Sequence, residues 1–399
     1  MKSILKSLLM LYLICLWSCG NNTDKKNSLS KAKYLISINE DSLKQIKIKK
    51  LSEIIEKYHF IKLETTKESL LGEIKKIMTF EENVFILEAR SSNGIKVFNN
   101  KGKYLYKIGR EGSGPGEFVR LKGFTINESN RQLILLDSEG KKLLYFSIEG
   151  KLLKEKHLKY GYSNIEILDD NYIALICTGI QSGYDLSILN MDGETIKNFF
   201  TRTPYNEIDI FKPLIRYDDS LLYMQANNDT IYTITPNYTN VYAIVDYGKY
   251  RVTKDKLVKS SFGGIMVPKE FCMKGTRFYT ETEKLIYFVF DYDKMNSESP
   301  FYVIYSKMNK KQYIFTNSII DDITFYQYAP QIETVSSKNE FISIIQPYIL
   351  LESMNEERRT KESWDENTKH RFEKMEEIVT DIDEASNPIL FFATIKEIK

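Results

Sequence analysis

From Tyr34 onward the chain alternates short apolar or alternating runs with turn residues. Asn83-Val84-Phe85-Ile86-Leu87, Gly94-Ile95-Lys96-Val97-Phe98, Lys103-Tyr104-Leu105-Tyr106-Lys107-Ile108 and Gln132-Leu133-Ile134-Leu135-Leu136 are examples. Strands this short and this frequent predict an all-β barrel, sandwich or propeller. Repetition chooses among them. A hairpin turn followed by an alternating strand recurs at Asn100-Lys101-Gly102, Ile148-Glu149-Gly150 and Met191-Asp192-Gly193, with the glycines 48 and 43 residues apart. That is the period of a propeller blade. Blades are expected at about 73–110, 117–158 and 162–201. Strand clusters at 221–224, 230–234 and 241–245, then two groups at 263–322 and 323–352, bring the number to about six. Each blade needs neighbours on both faces, and a closed ring protects the strand edges, so an all-β six-bladed β-propeller is predicted.

The β pattern breaks between Ser353 and Ala385, which is dense in Glu, Lys and Arg. Its apolar residues Phe372, Met375, Ile378, Val379 and Ile382 are spaced by one to four residues, as on one face of an amphipathic helix. Two helices with a break are expected there, packed against a blade edge, with Trp364 and Phe372 as the contact. Ser386-Asn387-Pro388 ends the insertion. The apolar strand that follows, 388–396, is expected to complete a blade with the N-terminal strand His59-Phe60-Ile61-Lys62-Leu63-Glu64, closing the ring without a covalent bond. The propeller domain thus runs from 34 to 399.

The first residues read as an address. Lys2 and Lys6 precede an unbroken apolar run of ten, Leu8 to Trp17, followed by Ser18, Cys19 and Gly20. At 1.5 Å per residue such a run cannot cross a hydrocarbon core of ~30 Å, so residues 1–18 predict a secretory signal peptide rather than a membrane span. Leu16-Trp17-Ser18-Cys19 resembles a bacterial lipobox, which implies acylation of Cys19 and attachment to a lipid bilayer. Residues 19–33 are polar and predict a flexible tether. Its single acid, Asp24, is followed by Lys25 and Lys26, which does not support display on the outer surface. The expected location is the cell envelope, lipid-anchored in the outer membrane and facing the periplasm.

Charge and composition then exclude chemistry. Lys+Arg 56 against Asp+Glu 54 gives a net charge of +2, which argues against nucleic acid as a partner. Losing the signal removes two lysines and no acid, so the remaining chain is formally neutral and membrane attachment would rest on acyl chains, at about 0.8 kcal/mol per buried CH₂. Of the three histidines, His59 falls on an outer strand, His157 in a turn and His370 in the charged helix. None is paired to share a metal, so no metal or other cofactor is assigned, although a carboxylate calcium site leaves too weak a trace to read. Cys177 and Cys272 each sit among apolar neighbours and are expected to be buried thiols, with a single disulfide between them in an oxidising periplasm as the alternative. No Gly-x-Ser-x-Gly elbow is present, and no catalytic residue is assigned. Glu88 and Asp137 hold matching places in two blades, where a repeated carboxylate is expected to cap a turn.

The strongest local motif is Gly109-Arg110-Glu111-Gly112-Ser113-Gly114-Pro115-Gly116-Glu117-Phe118. Four glycines and a proline in eight positions specify a loop with positive-φ turns. It is not a phosphate loop: Gly116-Glu117-Phe118 lacks the Gly-Lys-Ser/Thr and leads toward a strand, and Glu117 would repel phosphate. Arg110, Glu111 and Glu117 are the candidate binding residues on this loop face, with local orientation of the loop as their simpler role. The motif is similar to the inter-blade loop of NHL-repeat propellers. The wider order, from lipobox through Leu51-Ser52-Glu53-Ile54-Ile55-Glu56, Ile61-Lys62-Leu63-Glu64-Thr65-Thr66 and the glycine loop to Asn387-Pro388-Ile389-Leu390, resembles six-bladed β-propeller lipoproteins of Bacteroidetes. That resemblance implies a membrane-anchored binding or scaffolding module for a protein, saccharide or peptide ligand. The alternative is a propeller hydrolase or lyase acting on a glycan or peptide.

Overall fold

The computed structural model describes residues 32–39, 48–89, 94–177, 182–202, 212–225, 228–248, 251, 258–259, 265–266, 273–292, 300–327, 331–359 and 363–397. The signal segment 1–18, Cys19 and Cys272 lie outside the described residues.

Six antiparallel sheets form a β-propeller. Blade 1 comprises β3 (Ile74–Phe80), β4 (Asn83–Glu88), β5 (Ile95–Asn99) and β6 (Tyr104–Ile108), hydrogen-bonded in that order. A short parallel pair, β7 (Arg110–Glu111) and β8 (Glu117–Phe118), leads to blade 2: β9 (Leu121–Asn127), β10 (Gln132–Asp137), β11 (Lys142–Ser147) and β12 (Leu152–His157). Blade 3 is β13 (Tyr162–Ile167), β14 (Tyr172–Cys177), β15 (Tyr184–Asn190) and β16 (Thr195–Thr201). Blade 4 is β17 (Leu214–Tyr217), β18 (Ser220–Met224), β19 (Thr230–Ile234) and β20 (Thr239–Asp246). A two-stranded pair, β21 (Val258–Lys259) and β22 (Ile265–Met266), precedes blade 5: β23 (Met273–Glu281), β24 (Leu285–Tyr292), β25 (Phe301–Ser306) and β26 (Gln312–Thr316). Blade 6 is β27 (Ile332–Val335), β28 (Phe341–Ile345) and β29 (Ile389–Ile395), with the N-terminal β2 (Ile55–Lys62) as its outer strand. His59 lies opposite Phe392 and Lys62 opposite Ile389. The ring therefore closes between the two ends of the chain, as the apolar 388–396 segment predicts.

Position within a blade explains why some strands are continuously apolar and others alternate. The second strand of a blade is covered by neighbouring blades on both faces, so β4 and β10 are buried at nearly every residue. Outer strands face solvent on one side, and β6 alternates half-buried and exposed positions. Between blades 1 and 2 the seam is filled by Phe85, Leu87, Val97, Phe124, Leu133 and Leu135. The repeated glycines have a mechanical reason. Gly102, Gly150 and Gly193 all have positive φ and back onto the end of the preceding outer strand. A Cβ on Gly102 would lie 1.7 Å from the Lys62 carbonyl oxygen, and one on Gly193 would lie 3.1 Å from that of His157.

Two features depart from the sequence reading. Strand β1 (Tyr34–Ser37) adds a fifth, parallel strand to the outer edge of blade 4, Tyr34 opposite Ala243. It covers an edge that would otherwise stand open. The inserted helices also begin earlier than Ser353: α1 spans Pro347–Glu357 and α2 spans Glu366–Val379. Pro347 occupies the first turn, where its fixed φ suits a helix, so the apolar run 349–351 is helical rather than a continued strand.

Helix α2 docks on the ring. Asp365 caps it by accepting from the Thr368 N–H at 2.8 Å. Phe372, Met375 and Val379 are buried, and Phe325 lies between Trp364 and Phe372 at 5.4 and 4.9 Å. Arg371 donates to the Asp322 carboxylate at 2.6 Å, and the same carboxylate accepts from the Ser52 N–H at 2.9 Å. The insertion is thus a structural brace across blades 5 and 6. No described helix is long and apolar enough to cross a membrane.

The ring closure carries its own polar latch. Asn387, 2% exposed, accepts from the Leu71 N–H at 2.7 Å and donates to the carbonyls of Glu64 (2.7 Å) and Ser69 (3.0 Å). Its own N–H donates to Thr65 Oγ1 at 2.8 Å. The segments 61–66 and 387–390 that stand out in the sequence are therefore the two halves of one joint.

Candidate functional site

The glycine loop is held by its own carboxylates. Arg110 contacts Glu117, whose other oxygen accepts from the Gly114 N–H at 2.8 Å. That backbone bond first, and the Arg110 guanidinium second, hold the Glu117 carboxyl below its ordinary range. Gly116 donates to Glu155 at 3.0 Å, which ties the loop to β12. Asp137 accepts from the N–H groups of Val119, Arg120 and Gly140 at 2.9 to 3.0 Å, and Glu88 accepts from Gly72 at 2.6 Å. Asp137 caps its own turn through Gly140, as the repetition predicts, whereas Glu88 holds the segment before β3 through Gly72 and pairs with Lys96 at 3.3 Å instead of capping a turn. Arg110 and Glu117 are brought together, Glu111 stands exposed beside them, and none of the three lines the central channel.

The channel is the larger feature, a cavity of about 420 Å³ lined by β3, β9, β13, β17, β23 and β27. Its two mouths differ. At the loop side, where the inner strands begin, stand Lys75, Lys76, Lys122 and Lys212, with Glu333, while Glu166 lines the channel near the end of β13. At the turn side, where they end, stand Glu128, Asp218, Asp219 and Glu281, with Arg216. Ion pairs reach across the channel between blades that are not neighbours. Lys76 on blade 1 contacts Glu166 on blade 3, and Lys212 before blade 4 pairs with Glu333 on blade 6 at 3.0 Å. Arg216 on blade 4 pairs with Glu128 beside blade 2 at 3.3 Å and donates to the Ile126 carbonyl at 3.1 Å. Thr125 holds the second Glu166 oxygen at 2.7 Å.

Lys75 and Lys122 are different. Among the described residues neither has a carboxylate partner; the Lys75 ammonium instead donates to the backbone carbonyl of Lys122. Burial first, and then the charges of Lys122, Lys76 and Arg120, push Lys75 down to about 8. Burial also pushes Lys212 down, against the pull of Glu333.

On the turn side, between blades 4 and 5, Glu281 is 1% exposed. Burial raises its carboxyl although Lys307 and the Tyr242 hydroxyl, at 3.0 Å, both favour the charged form. Lys307 sits 3.6 Å from the Tyr217 ring centroid.

The histidines are dispersed. His59 stacks on Phe392, His157 ends β12 and His370 lies in α2. Among the described residues no group of three or more His, Cys, Asp or Glu could hold a metal ion. Cys177 is a buried free thiol, 3.2 Å from the Ser187 hydroxyl, and burial raises its pKa.

The channel lysines were the residues that sequence reasoning missed. A signal existed: Lys75 and Lys122 stand 47 residues apart, one blade period, each at the start of the strand that opens its blade.

With fold and channel described, comparison with known proteins places the chain. The profile of the family described as "Domain of unknown function (DUF4934)" matches residues 33–394. The chain belongs to that family. The match begins beside β1 and ends within β29, so the added fifth strand and the closing strand both fall inside the DUF4934 unit. No curated protein matches the chain. Among solved structures, one from Bacteroides fragilis described as a "Putative exported protein" is 18% identical. The alignment covers 91% of this chain and 100% of that one, at a TM-score of 0.72, and shows the shared fold. A member of the DUF4221 family from Bacteroides vulgatus is 10% identical over 86% of this chain and 97% of its own, at a TM-score of 0.49.

Proposed function

We propose that this DUF4934 chain is an exported binding module of the cell envelope, held to the bilayer by acylated Cys19, that receives a ligand or partner at the loop side of its channel. The observation that carries this reading is the loop-side mouth: a formed cavity whose rim holds four lysines and one glutamate, Glu333. Natural binding sites combine a concave, largely pre-formed wall with a few placed polar groups. Export is supported by the positive, apolar and Ser18-Cys19-Gly20 order of the first twenty residues, and by the name of the Bacteroides fragilis relative. The cross-channel ion pairs hold the rim in place before any ligand arrives, which lowers the ordering cost of binding.

The test is purification of the tagged chain from crosslinked native membranes, with Cys19→Ala as control, followed by mass spectrometry of proteins and bound small molecules. A stoichiometric companion retained by the wild type and lost from the unlipidated control is the expected result. Recovery of the bare chain from both preparations would count against a binding role at the membrane. A hydrolase or lyase would instead consume a glycan or peptide incubated with the purified chain.

A further inference from the structure

We propose that the loop-side mouth of the channel binds a compact organic anion, whose carboxylate or phosphate group is gripped by Lys75 and Lys122 at the seam between blades 1 and 2. This rests on the binding reading above and names the class of ligand. The argument begins from a contrast inside one rim. Lys76 and Lys212 have been given carboxylates, Glu166 and Glu333, from blades across the channel. Lys75 and Lys122, on adjacent inner strands of the same rim, have none among the described residues, and Lys75 rests on a neutral carbonyl. The two ammonium groups repel, Arg120 nearby being already paired with Glu139 at 3.0 Å, and a bound anion removes that repulsion while replacing the carbonyl by a charge-assisted bond. The titration of Lys75 agrees with this placement.

The walls limit what the anion can be attached to. Met78 and Phe278 supply apolar surface, and Asn164 supplies an amide. A cavity of about 420 Å³ accepts a body of monosaccharide size. The pairs Lys76–Glu166, Lys212–Glu333 and Arg216–Glu128 cross the channel between non-adjacent blades, so a polymer does not thread through. The ligand is a small molecule or the end of a chain.

Calorimetric titration of the full chain in detergent tests this, with galacturonate, glycerol 3-phosphate and inorganic phosphate as probes and neutral galactose as control. At least one anion binds and galactose does not, and added NaCl weakens the binding. Lys75→Met and Lys122→Met each lose about tenfold in affinity, whereas Lys101→Met, on the outer hairpin of blade 1, changes nothing. Binding near pH 8 takes up protons through Lys75, so the heat differs between buffers of unlike ionisation enthalpy. That difference disappears in Lys75→Arg, which keeps the charge and the binding. Galacturonate without glycerol 3-phosphate identifies a carboxylate ligand, and the reverse a phosphate. Silence of every anion, equal binding of galactose, or anion binding unchanged by both methionine variants overturns the proposal. If the membrane purification still yields a stoichiometric companion, indifferent to Lys75 and Lys122, the binding module stands and only the anion site falls.

Discussion

Asn387 at the ring closure and Lys75 at the channel rim are both polar side chains in crowded surroundings, and the fold treats them in opposite ways. The side-chain amide of Asn387 is answered by Leu71, Glu64 and Ser69, and its backbone N–H by Thr65. Lys75 meets a backbone carbonyl and the repulsion of Lys122, Lys76 and Arg120. A satisfied buried network specifies one structure, because each member would cost free energy if left alone. A charge cluster left short of counter-charge costs stability and is kept where it has a task. The latch is therefore read as architecture and the rim as function.

The sharpest way to break this contrast is to remove the latch. Asn387→Ala leaves the Ser69 carbonyl and the Leu71 N–H without a partner inside the joint, while the Glu64 carbonyl keeps the Ser69 hydroxyl, and should cost about 3 kcal/mol in denaturant unfolding. A loss below ~1 kcal/mol would show that the apolar pairing of β2 with β29 closes the ring unaided. Next in size is Gly102→Ala, which combines a positive φ with a collision against the Lys62 carbonyl. About 2 kcal/mol is expected, while Gly183→Ala, with nothing near its Cβ, should lose only the part owed to φ.

Lys75→Met should move the other way, leaving stability unchanged or raised by up to ~1 kcal/mol, since it removes an ammonium that its neighbours disfavour. The pH dependence has a defined sign. Lys75 titrates at about 8 in the folded chain against 10.5 ordinarily. The unfolded chain therefore binds more protons between those values, and stability gains from this residue as pH rises from 8 to 10.5. The penalty is fully present below 8. Comparing thermal unfolding of wild type and Lys75→Met across pH 7 to 10.5 isolates it: the advantage of the variant should shrink as pH rises. The smallest effect is expected from Arg110→Ala. Its side chain is 78% exposed and its partner Glu117 keeps the Gly114 bond, so the change should stay within ~0.5 kcal/mol. A larger loss, or lost ligand binding, would return the glycine loop to the functional site.

Much of the ring was legible because its repeats obey local rules. Gly102, Gly150 and Gly193 mark a turn that needs positive φ at each blade contact, and strands covered on both faces must be apolar throughout. The closing strand was legible because six of the seven residues after Asn387-Pro388 are apolar and need a cover. Strand β1 escaped notice: four residues pairing in parallel with a partner some 200 positions away leave no periodic trace. Helix α1 was hidden because Tyr348-Ile349-Leu350-Leu351 is apolar without a period, and only Pro347 hints at the change. The candidate site divided in the same way. The glycine loop is conspicuous in sequence because its backbone is unusual, yet Arg110 and Glu117 use their charges on each other. Lys75 and Lys122 look like ordinary solvent-facing positions of alternating strands until the packing of blade 1 on blade 2 sets β3 beside β9.

The central claim is that the rim of the channel holds a cation cluster kept short of counter-charge for a ligand. The most direct measurement is an NMR titration of the lysine side chains, with Lys75 assigned by its absence in Lys75→Arg. Lys75 should titrate near 8, well below Lys101, and move upward when galacturonate or glycerol 3-phosphate is added. Titration of Lys75 together with the exposed lysines, unmoved by either anion, would contradict the claim.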